Sequence, residues 1–283
     1  MLAQGPSRRT KSGFPGHPDG VPHAPNGFPG TCPGGQKTSI ITAMLSAVLL
    51  MAALGASPAP TPSYLYRTTL IQAAPGKLLE VVEMYKAGWP GLRDGGDEPP
   101  IAMRHSQGDR WDLLILFPMG SFAEYYSADR VTRRLKARDA AKTDLAKLSD
   151  DTAWTEDIFV YGPTLEEVRG RLAKAGFFHV EMFEALPGAI ANLYRQREME
   201  NAYSKALGLP DNLIFVRDSG AAWDLFTIGA YRDLKHYAES ADIPEAKQEE
   251  AAKAAGFAGA KAIGPYLRTL ISLHHDTLAV AIR

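Results

Sequence analysis

The sequence predicts an α+β fold in which two copies of one β-α-β-β-α-β unit follow each other along the chain. Two observations predict it: landmark residues recur at an offset of 112 positions, and the same order of strand and helix patterns surrounds them in both copies. The length of 283 residues suits two ordinary domains. A repeating unit of this size is that of a small domain and not that of a solenoid.

The landmarks of the repeat align without a gap. Their alignment pairs Ala73 with Ala185, Pro75-Gly76 with Pro187-Gly188, Gly108 with Gly220, Trp111-Asp112-Leu113 with Trp223-Asp224-Leu225, and Tyr125 with Tyr237. Several matches in one register are much harder to obtain by chance than a single dipeptide. We therefore interpret the repeat as a duplication.

Each copy opens with a strand and a helix. Residues 64–73 and 177–185 are rich in aromatic and β-branched side chains, which favour strands, and a Pro-Gly pair follows each run. Apolar residues at helical spacing then predict helices over 77–87 and 189–206.

A hairpin, a long helix and a closing strand complete each copy. The second long helix should be interrupted near residues 242–244, because proline disrupts a helix interior. The predicted hairpins pair 101–105 with 111–117 and 213–217 with 223–228 across a Gly turn. The predicted long helices cover 122–148 and 234–263, and the closing strands cover 158–161 and 270–273, the latter with a further segment at 278–282.

The resulting order is the ferredoxin-like arrangement, with units over residues 64–163 and 176–283 and a helical linker over 164–175. This order, the Pro-Gly pair and the G-x-x-W-D-L hairpin resemble the dimeric α/β-barrel superfamily. The resemblance implies two ferredoxin-like sheets packed face to face, here as a pseudo-dimer within one chain. The superfamily includes antibiotic-biosynthesis monooxygenases, haem-degrading enzymes, haem-containing chlorite-dismutase-like proteins and stress-induced proteins. It therefore implies a fold and no single function.

The first 63 residues differ in composition from the repeat. Residues 1–36 hold eight Gly and seven Pro without apolar periodicity, which predicts a disordered leader. Residues 37–63 combine a basic flank, an uncharged apolar run and a Pro-rich exit, as in a secretory signal peptide. A permanent membrane anchor is the alternative. We expect cleavage, no stable membrane span afterwards, and a periplasmic or extracellular location.

Composition excludes several classes of function. The chain has 31 Lys and Arg against 32 Asp and Glu, whereas a general nucleic-acid binder would show a basic excess, so we expect no nucleic-acid partner. The single cysteine, Cys32, lies in the leader, which excludes a disulfide framework and any multi-thiolate metal site.

Differences between the copies indicate where a site could lie. Arg67 and Thr69 on the first strand align with His179 and Glu181, and each pair projects from one side of its strand. His179 and Glu181 could form a catalytic acid–base pair, because a carboxylate can orient an imidazole and raise its basicity. The alternative is a polar pair that only fixes the strand register.

Further candidate ligand contacts come from the hairpins and helices. His105 aligns with Arg217, and these two residues could bind an anionic group together with Arg67. The alternative is that His105 and Arg217 lie at a solvated strand end and pair with Asp109 or Asp218. Aromatic side chains could stack on a ligand or form core under the long helices. These are Trp111, Trp223 and Tyr237, and we expect Tyr237 to lie on a helix that faces the Trp region.

The sequence gives little support for a bound metal or cofactor. His274-His275-Asp276 stands just after the predicted closing strand, and neighbouring residues of an extended segment point to opposite sides. One of the two histidines could bind zinc, copper or haem iron together with His179 or Glu181, but no metal-binding spacing supports this. We therefore expect no metal and no cofactor, with haem as the alternative that the resemblance implies.

Two functional hypotheses follow. In the first, an exported protein binds a small, partly apolar ligand or a protein partner in a pocket between sheet and helices. In the second, the protein is a monooxygenase-like or haem-linked oxidoreductase that uses His179 and Glu181 as an acid–base pair. The sequence leaves open whether the protein is an enzyme.

Overall fold

A computed structural model gives the fold and describes residues 64–141 and 145–282. The predicted leader and signal peptide lie outside the described residues. Within the described part of the chain, no helix is long and apolar enough to cross a membrane.

The first half follows the predicted order of elements. Its elements are β1 (Tyr64–Ala73), α1 (Leu78–Asp94), β2 (Ile101–Gln107), β3 (Leu113–Gly120), α2 (Phe122–Tyr125), α3 (Ala128–Ala141), α4 (Leu145–Asp150) and β4 (Thr152–Gly162). The prediction of one continuous helix over 122–148 is wrong. The chain leaves the helical conformation after Tyr125 and starts a new helix at Ala128, where the amide of Val131 bonds to the carbonyl of Ser127.

The second half repeats this order after a connecting helix. Its elements are α5 (Leu165–Leu172), β5 (Phe177–Ala185), α6 (Ile190–Ala206), β6 (Leu213–Gly220), β7 (Leu225–Tyr231), α7 (Leu234–Ala238), α8 (Glu245–Ala254), α9 (Ile263–Arg268) and β8 (Ile271–Ala281), with 3₁₀ turns at Glu239–Asp242 and Ala260–Ala262. The predicted interruption at proline is confirmed, since Pro244 immediately precedes α8. The closing strand β8 is continuous, so the prediction that residues 274–276 follow a strand is wrong: they lie inside it.

Eight antiparallel strands close into one barrel, in the order β1-β3-β2-β8-β5-β7-β6-β4. Each half supplies four neighbouring strands, and the halves join where β2 pairs with β8 and β4 pairs with β6. The predicted fold class, two ferredoxin-like halves packed as a pseudo-dimer, is confirmed. Closure removes the exposed strand edges that a lone four-stranded sheet would leave.

Side chains alternate between the barrel interior and the helix-covered outer face. On β5, Phe178, Val180 and Met182 belong to the interior core, whereas Phe183 packs outward with Leu193 of α6. The outer face of the first half is covered in the same way by α1. Because His179 and Glu181 alternate with the interior residues, they face the helix side of the sheet.

The Trp-Asp pairs of the repeat close one end of the barrel. The indoles of Trp111 and Trp223 belong to the interior core and not to a layer under the long helices. Asp112 Oδ2 accepts a hydrogen bond from the amide of Ala73 at 2.8 Å, and Asp224 Oδ2 accepts one from Ala185 at 2.8 Å. Each carboxylate therefore satisfies a backbone donor at the end of β1 or β5.

The repeated glycines Gly108 and Gly220 mark the contact between the halves. Both have positive φ, 126° and 106°. A Cβ on Gly108 would collide with the carbonyl of Asp276, and one on Gly220 would collide with that of Asp157. Only glycine permits each hairpin tip to approach the closing strand of the other half so closely.

We expect loss of either Asp carboxylate to destabilise the barrel end. Asp112→Ala and Asp224→Ala should each lower the free energy of unfolding by about 1–3 kcal/mol, because a partly buried amide loses its acceptor. Urea denaturation measures the change. Asp218→Ala, at an exposed position of β6, is the control and should stay within about 0.5 kcal/mol of the unchanged protein. Equal stability of all three variants would contradict the assigned role.

We also expect alkaline pH to weaken the fold. Burial raises the pKa of Tyr66 above its ordinary value, and that of Tyr231 to about 12. Both phenols ionise more readily in the unfolded chain, so their contribution to stability is complete below about pH 10 and is lost as the pH rises further. Urea unfolding between pH 8 and pH 11 should show this decline, with a shallower slope in Tyr66→Phe. An unchanged slope would refute the role of Tyr66.

Candidate functional site

The structure places the sequence-predicted site residues in three separate regions. His179, Glu181 and Tyr237 lie on the outer side of the second half. Arg67 lies at the corresponding place on the first half, beside Asp157. The remaining four, His105, Trp111, Arg217 and Trp223, lie at the barrel end that the two indoles close.

Strand register builds a carboxylate–imidazole group on the outer side of the second half. Glu181 of β5 stands opposite Asp276 of β8, and Phe183 stands opposite His274. His179 lies two residues before Glu181 on the same face. We call these four polar residues, His179, Glu181, His274 and Asp276, the outer-face cluster.

Within the outer-face cluster, His179 and Glu181 each take a partner on β8. His179 Nε2 lies 3.0 Å from Asp276 Oδ1. His274 Nε2 lies 3.2 Å from Asp276 Oδ2 and 3.7 Å from Glu181 Oε1. The expected pairing of His179 with Glu181 is thus replaced by a chain of contacts that runs through Asp276 and His274.

A buried arginine completes this region. Arg197 of α6 is 1% exposed, and its Nη1 donates to both carboxylate oxygens of Glu181, at 3.2 and 3.1 Å. Its Nη2 lies 2.7 Å from Glu200 Oε1. Thr227 of β7 also donates to Glu181 Oε2, at 3.1 Å. Glu181 is therefore held from both a helix and a strand.

Sequence reasoning did not single out Arg197. The available signal was the repeat itself: at the offset of 112, Arg197 stands where the first half has Tyr85. A charged residue replacing an aromatic one on the core side of a helix indicates a buried partner of opposite charge.

These contacts set the charges of the outer-face cluster. Burial alone would raise the pKa of Glu181, but the neighbouring imidazole of His274 and the charge of Arg197 lower that pKa to about 2. The carboxylates of Asp276 and Glu181 raise the pKa of His274 to about 9. Burial opposes ionisation of Asp276, yet both imidazoles hold its pKa well below the usual range. At neutral pH two carboxylates therefore flank an imidazolium.

The first half has a much simpler arrangement at the corresponding positions. Thr69, which aligns with Glu181, donates to Asp157 Oδ1 at 2.5 Å. Asp157 faces Thr69 on the closing strand as Asp276 faces Glu181. Arg67 lies 4.0 Å from Asp157 and 4.4 Å above the ring of Phe117. Among the described residues, the two-imidazole, two-carboxylate group therefore belongs to the second half.

Aromatic rings border the outer-face cluster. The ring centroid of Tyr237 lies 5.4 Å from that of His179, 5.8 Å from Phe177 and 5.1 Å from Tyr231. The expectation that Tyr237 faces the Trp region is wrong, since α7 places it on the opposite side of β5. These three aromatic side chains give the cluster an apolar neighbourhood.

The barrel end is closed by packing and local ion pairs. Arg217 donates to the carbonyl of Ala221 at 3.0 Å and pairs with Asp224, while Asp109 lies 2.9 Å from His275 Nδ1. The expected pairing of His105 or Arg217 with Asp109 or Asp218 is therefore wrong. Trp111 is 1% exposed and Trp223 is 9% exposed, so neither offers a ring face to a ligand.

A separate groove of about 580 Å³ lies between the C-terminal end of α6, the 3₁₀ turn at Glu239–Asp242 and α8. Its lining includes the apolar residues Leu207, Ile243 and Pro244 and the acidic residues Asp242 and Glu250. None of its lining residues belongs to the outer-face cluster. The groove therefore gives the cluster no ready-made cavity.

The side chains of this region fit haem poorly. An axial ligand needs a ring nitrogen directed at an open slot. His179 Nε2 and His274 Nε2 already face carboxylates, and Arg197 and Phe183 fill the space between β5 and α6. The ring of His236 is also engaged, because its Nδ1 accepts a hydrogen bond from the amide of Arg232 at 3.1 Å.

Comparisons with known proteins report similarity of fold. No protein-family model and no curated protein matches the sequence significantly. A solved anthrone oxidase-like protein has a TM-score of 0.47 and 10% identity, over 78% of this chain and 92% of its own. A mutant chlorite dismutase from Candidatus Nitrospira defluvii has a TM-score of 0.42 and 11% identity, over 79% and 93%. A heme-binding protein from Thermus thermophilus has a TM-score of 0.38 and 12% identity, over 78% and 92%.

The eight-stranded barrel follows from the strand pairing of this chain itself.

We expect Arg197 to be essential for stability because Glu181 is buried beside it. Arg197→Met should lower the free energy of unfolding by about 3–5 kcal/mol, since it leaves a buried carboxylate without its cation. The double variant Glu181→Thr/Arg197→Tyr copies Thr69 and Tyr85 of the first half and should recover most of that loss. Urea denaturation measures both. Arg195→Met, exposed on the same helix, is the control, and an equal loss there would contradict the pairing.

Proposed function

We propose that the protein is an enzyme for a small, partly apolar substrate, with its active site at the outer-face cluster of the second half. The first half serves as a scaffold. The observation that carries the proposal is the presence of two imidazoles and two carboxylates in the second half, where the four matching positions of the first half hold Arg67, Thr69, Thr155 and Asp157.

Stability alone gives little reason for this arrangement. A buried ion pair such as that of Arg197 and Glu181 is often no more stabilising than apolar residues of the same volume. The first half folds into the same architecture with Tyr85 and Thr69 at those positions. A costly, asymmetric group on an otherwise duplicated scaffold is what divergence towards a reaction would produce.

The surroundings indicate the kind of substrate. Asp276 is 53% exposed and His179 is 17% exposed, so solvent reaches the cluster from the β8 side. Tyr237 borders that approach with aromatic surface and packs against the buried ring of Phe177. A small aromatic molecule with a polar substituent would contact the rings and place its substituent at the cluster.

Export is a further proposal. It rests on the signal-peptide pattern of residues 37–63, which lie outside the described residues. Binding of a protein partner instead of a substrate is the competing role, and the experiment below separates the two.

We expect small phenols and aromatic acids to bind at the cluster. Ligand-observed NMR against the full chain should detect weak binders whose affinity falls at least about 10-fold in His179→Ala and Tyr237→Ala. The corresponding first-half variants, Arg67→Ala and Tyr125→Ala, are the controls and should retain binding. Absence of binders, or equal weakening by the controls, would reject the proposed site. Haem added in the same series should show no Soret shift.

A further inference from the structure

Three potential metal ligands converge in the outer-face cluster. A carboxylate oxygen of Glu181, a carboxylate oxygen of Asp276 and a ring nitrogen of His274 all lie within 4.8 Å of one another. The register of β5 and β8 produces this convergence, because Glu181 stands opposite Asp276 and His274 lies two residues earlier on the same face. No metal-binding spacing in the sequence indicates this convergence, because the ligands come from two strands.

The imidazole of His274 provides a second observation. Its side chain is 10% exposed, and its Nε2 points at the two carboxylates. The distances from Nε2 to the carboxylates of Asp276 and Glu181, 3.2 and 3.7 Å, are those of ion pairs, but neither contact has hydrogen-bond geometry. The buried Nε2 of His274 therefore lacks an aligned hydrogen-bond partner. Buried polar atoms in native proteins nearly always have one. An ion placed between this nitrogen and the two carboxylate oxygens would contact all three ligand atoms.

The carboxylates are already oriented from outside. Thr227 donates a hydrogen bond to Oε2 of Glu181. Arg197 donates to both carboxylate oxygens of Glu181. His179 contacts Asp276 Oδ1 and leaves Oδ2 directed at His274. Metal-binding carboxylates and imidazoles are characteristically supported by such outer contacts, which fix the direction of each donor atom.

We propose that Glu181, His274 and Asp276 bind one first-row divalent transition metal ion, and this inference rests on the proposed function of the same cluster. His179 is a positioning residue that holds Asp276. Glu181, Asp276 and Glu200 bring three negative charges against the single positive charge of Arg197. With His274 bound as the neutral imidazole, its proton released to solvent, the net charge of this group balances a divalent ion.

The donor set selects the class of ion. One imidazole and two carboxylates suit zinc, manganese, iron or cobalt, whereas calcium and magnesium prefer oxygen ligands alone. Three protein ligands leave coordination positions for water or substrate, as in catalytic rather than structural sites. The exposure of Asp276 lets a substrate reach those positions from solvent.

Titration of the chelator-treated full chain tests the proposal. Cobalt chloride should produce visible absorption bands that saturate at one equivalent, and zinc chloride should compete for the same site. Asp276→Asn and His179→Ala should each weaken binding at least about 10-fold. Asp157→Asn, the first-half counterpart of Asp276, is the matched control and should bind as the unchanged protein does. Bound zinc should also raise the melting temperature.

Each outcome decides the question. Absence of saturable binding, or equal affinity in Asp276→Asn and Asp157→Asn, would overturn the metal site. Because Asp276 is half exposed, its variant should fold, and circular dichroism confirms this before titration. If aromatic ligands still bind to metal-free protein and still depend on His179, the proposed function stands and only the metal is rejected. If metal binds but no ligand does, the metal site stands and the proposed function fails.

Discussion

The barrel depends on the close approach of each hairpin tip to the closing strand of the other half. Gly108 touches β8 at Asp276 and Thr277, and Gly220 touches β4 at Asp157. The amide of Asp109 adds a bond to Thr277 Oγ1 at 3.1 Å. Because β8 also carries His274 and Asp276, the first half supports the strand that presents half of the outer-face cluster. Scaffold and candidate site are therefore joined by the same interface.

The location of the candidate site follows from how the barrel is filled. Large apolar side chains from both halves occupy the interior, and the two indoles close one end. The sheet can then offer polar groups to a ligand only from its outer face or at a strand end. Both halves pack apolar residues of that outer face against a helix, but at two matching positions the first half has Thr69 and Ile115 where the second half has Glu181 and Thr227. Thr227 donates to Glu181, and Glu181 pairs with Arg197 of α6.

Comparison of the two duplicated halves distinguishes structural residues from candidate functional residues. Asp112 and Asp224 make the same 2.8 Å bond in both halves, which marks them as parts of the architecture. Thr69 and Glu181 occupy the same position with different partners, so that position was free to diverge. A buried ion pair on one side of a pseudo-dimer is hard to attribute to folding, because the other side folds without it.

The sequence by itself determined the repeat, the order of strands and helices, and the barrel class, because those follow from short-range patterns and from landmarks such as Pro75-Gly76 and Trp111-Asp112. It also placed His179 and Glu181 on one face. Tertiary structure decided their partners. Strand β8 runs through residues 274–276 without a break, which brings His274 and Asp276 to Glu181, while α6 brings Arg197. The partners on β8 lie far from β5 along the chain, and local patterns do not encode pairing across such distances.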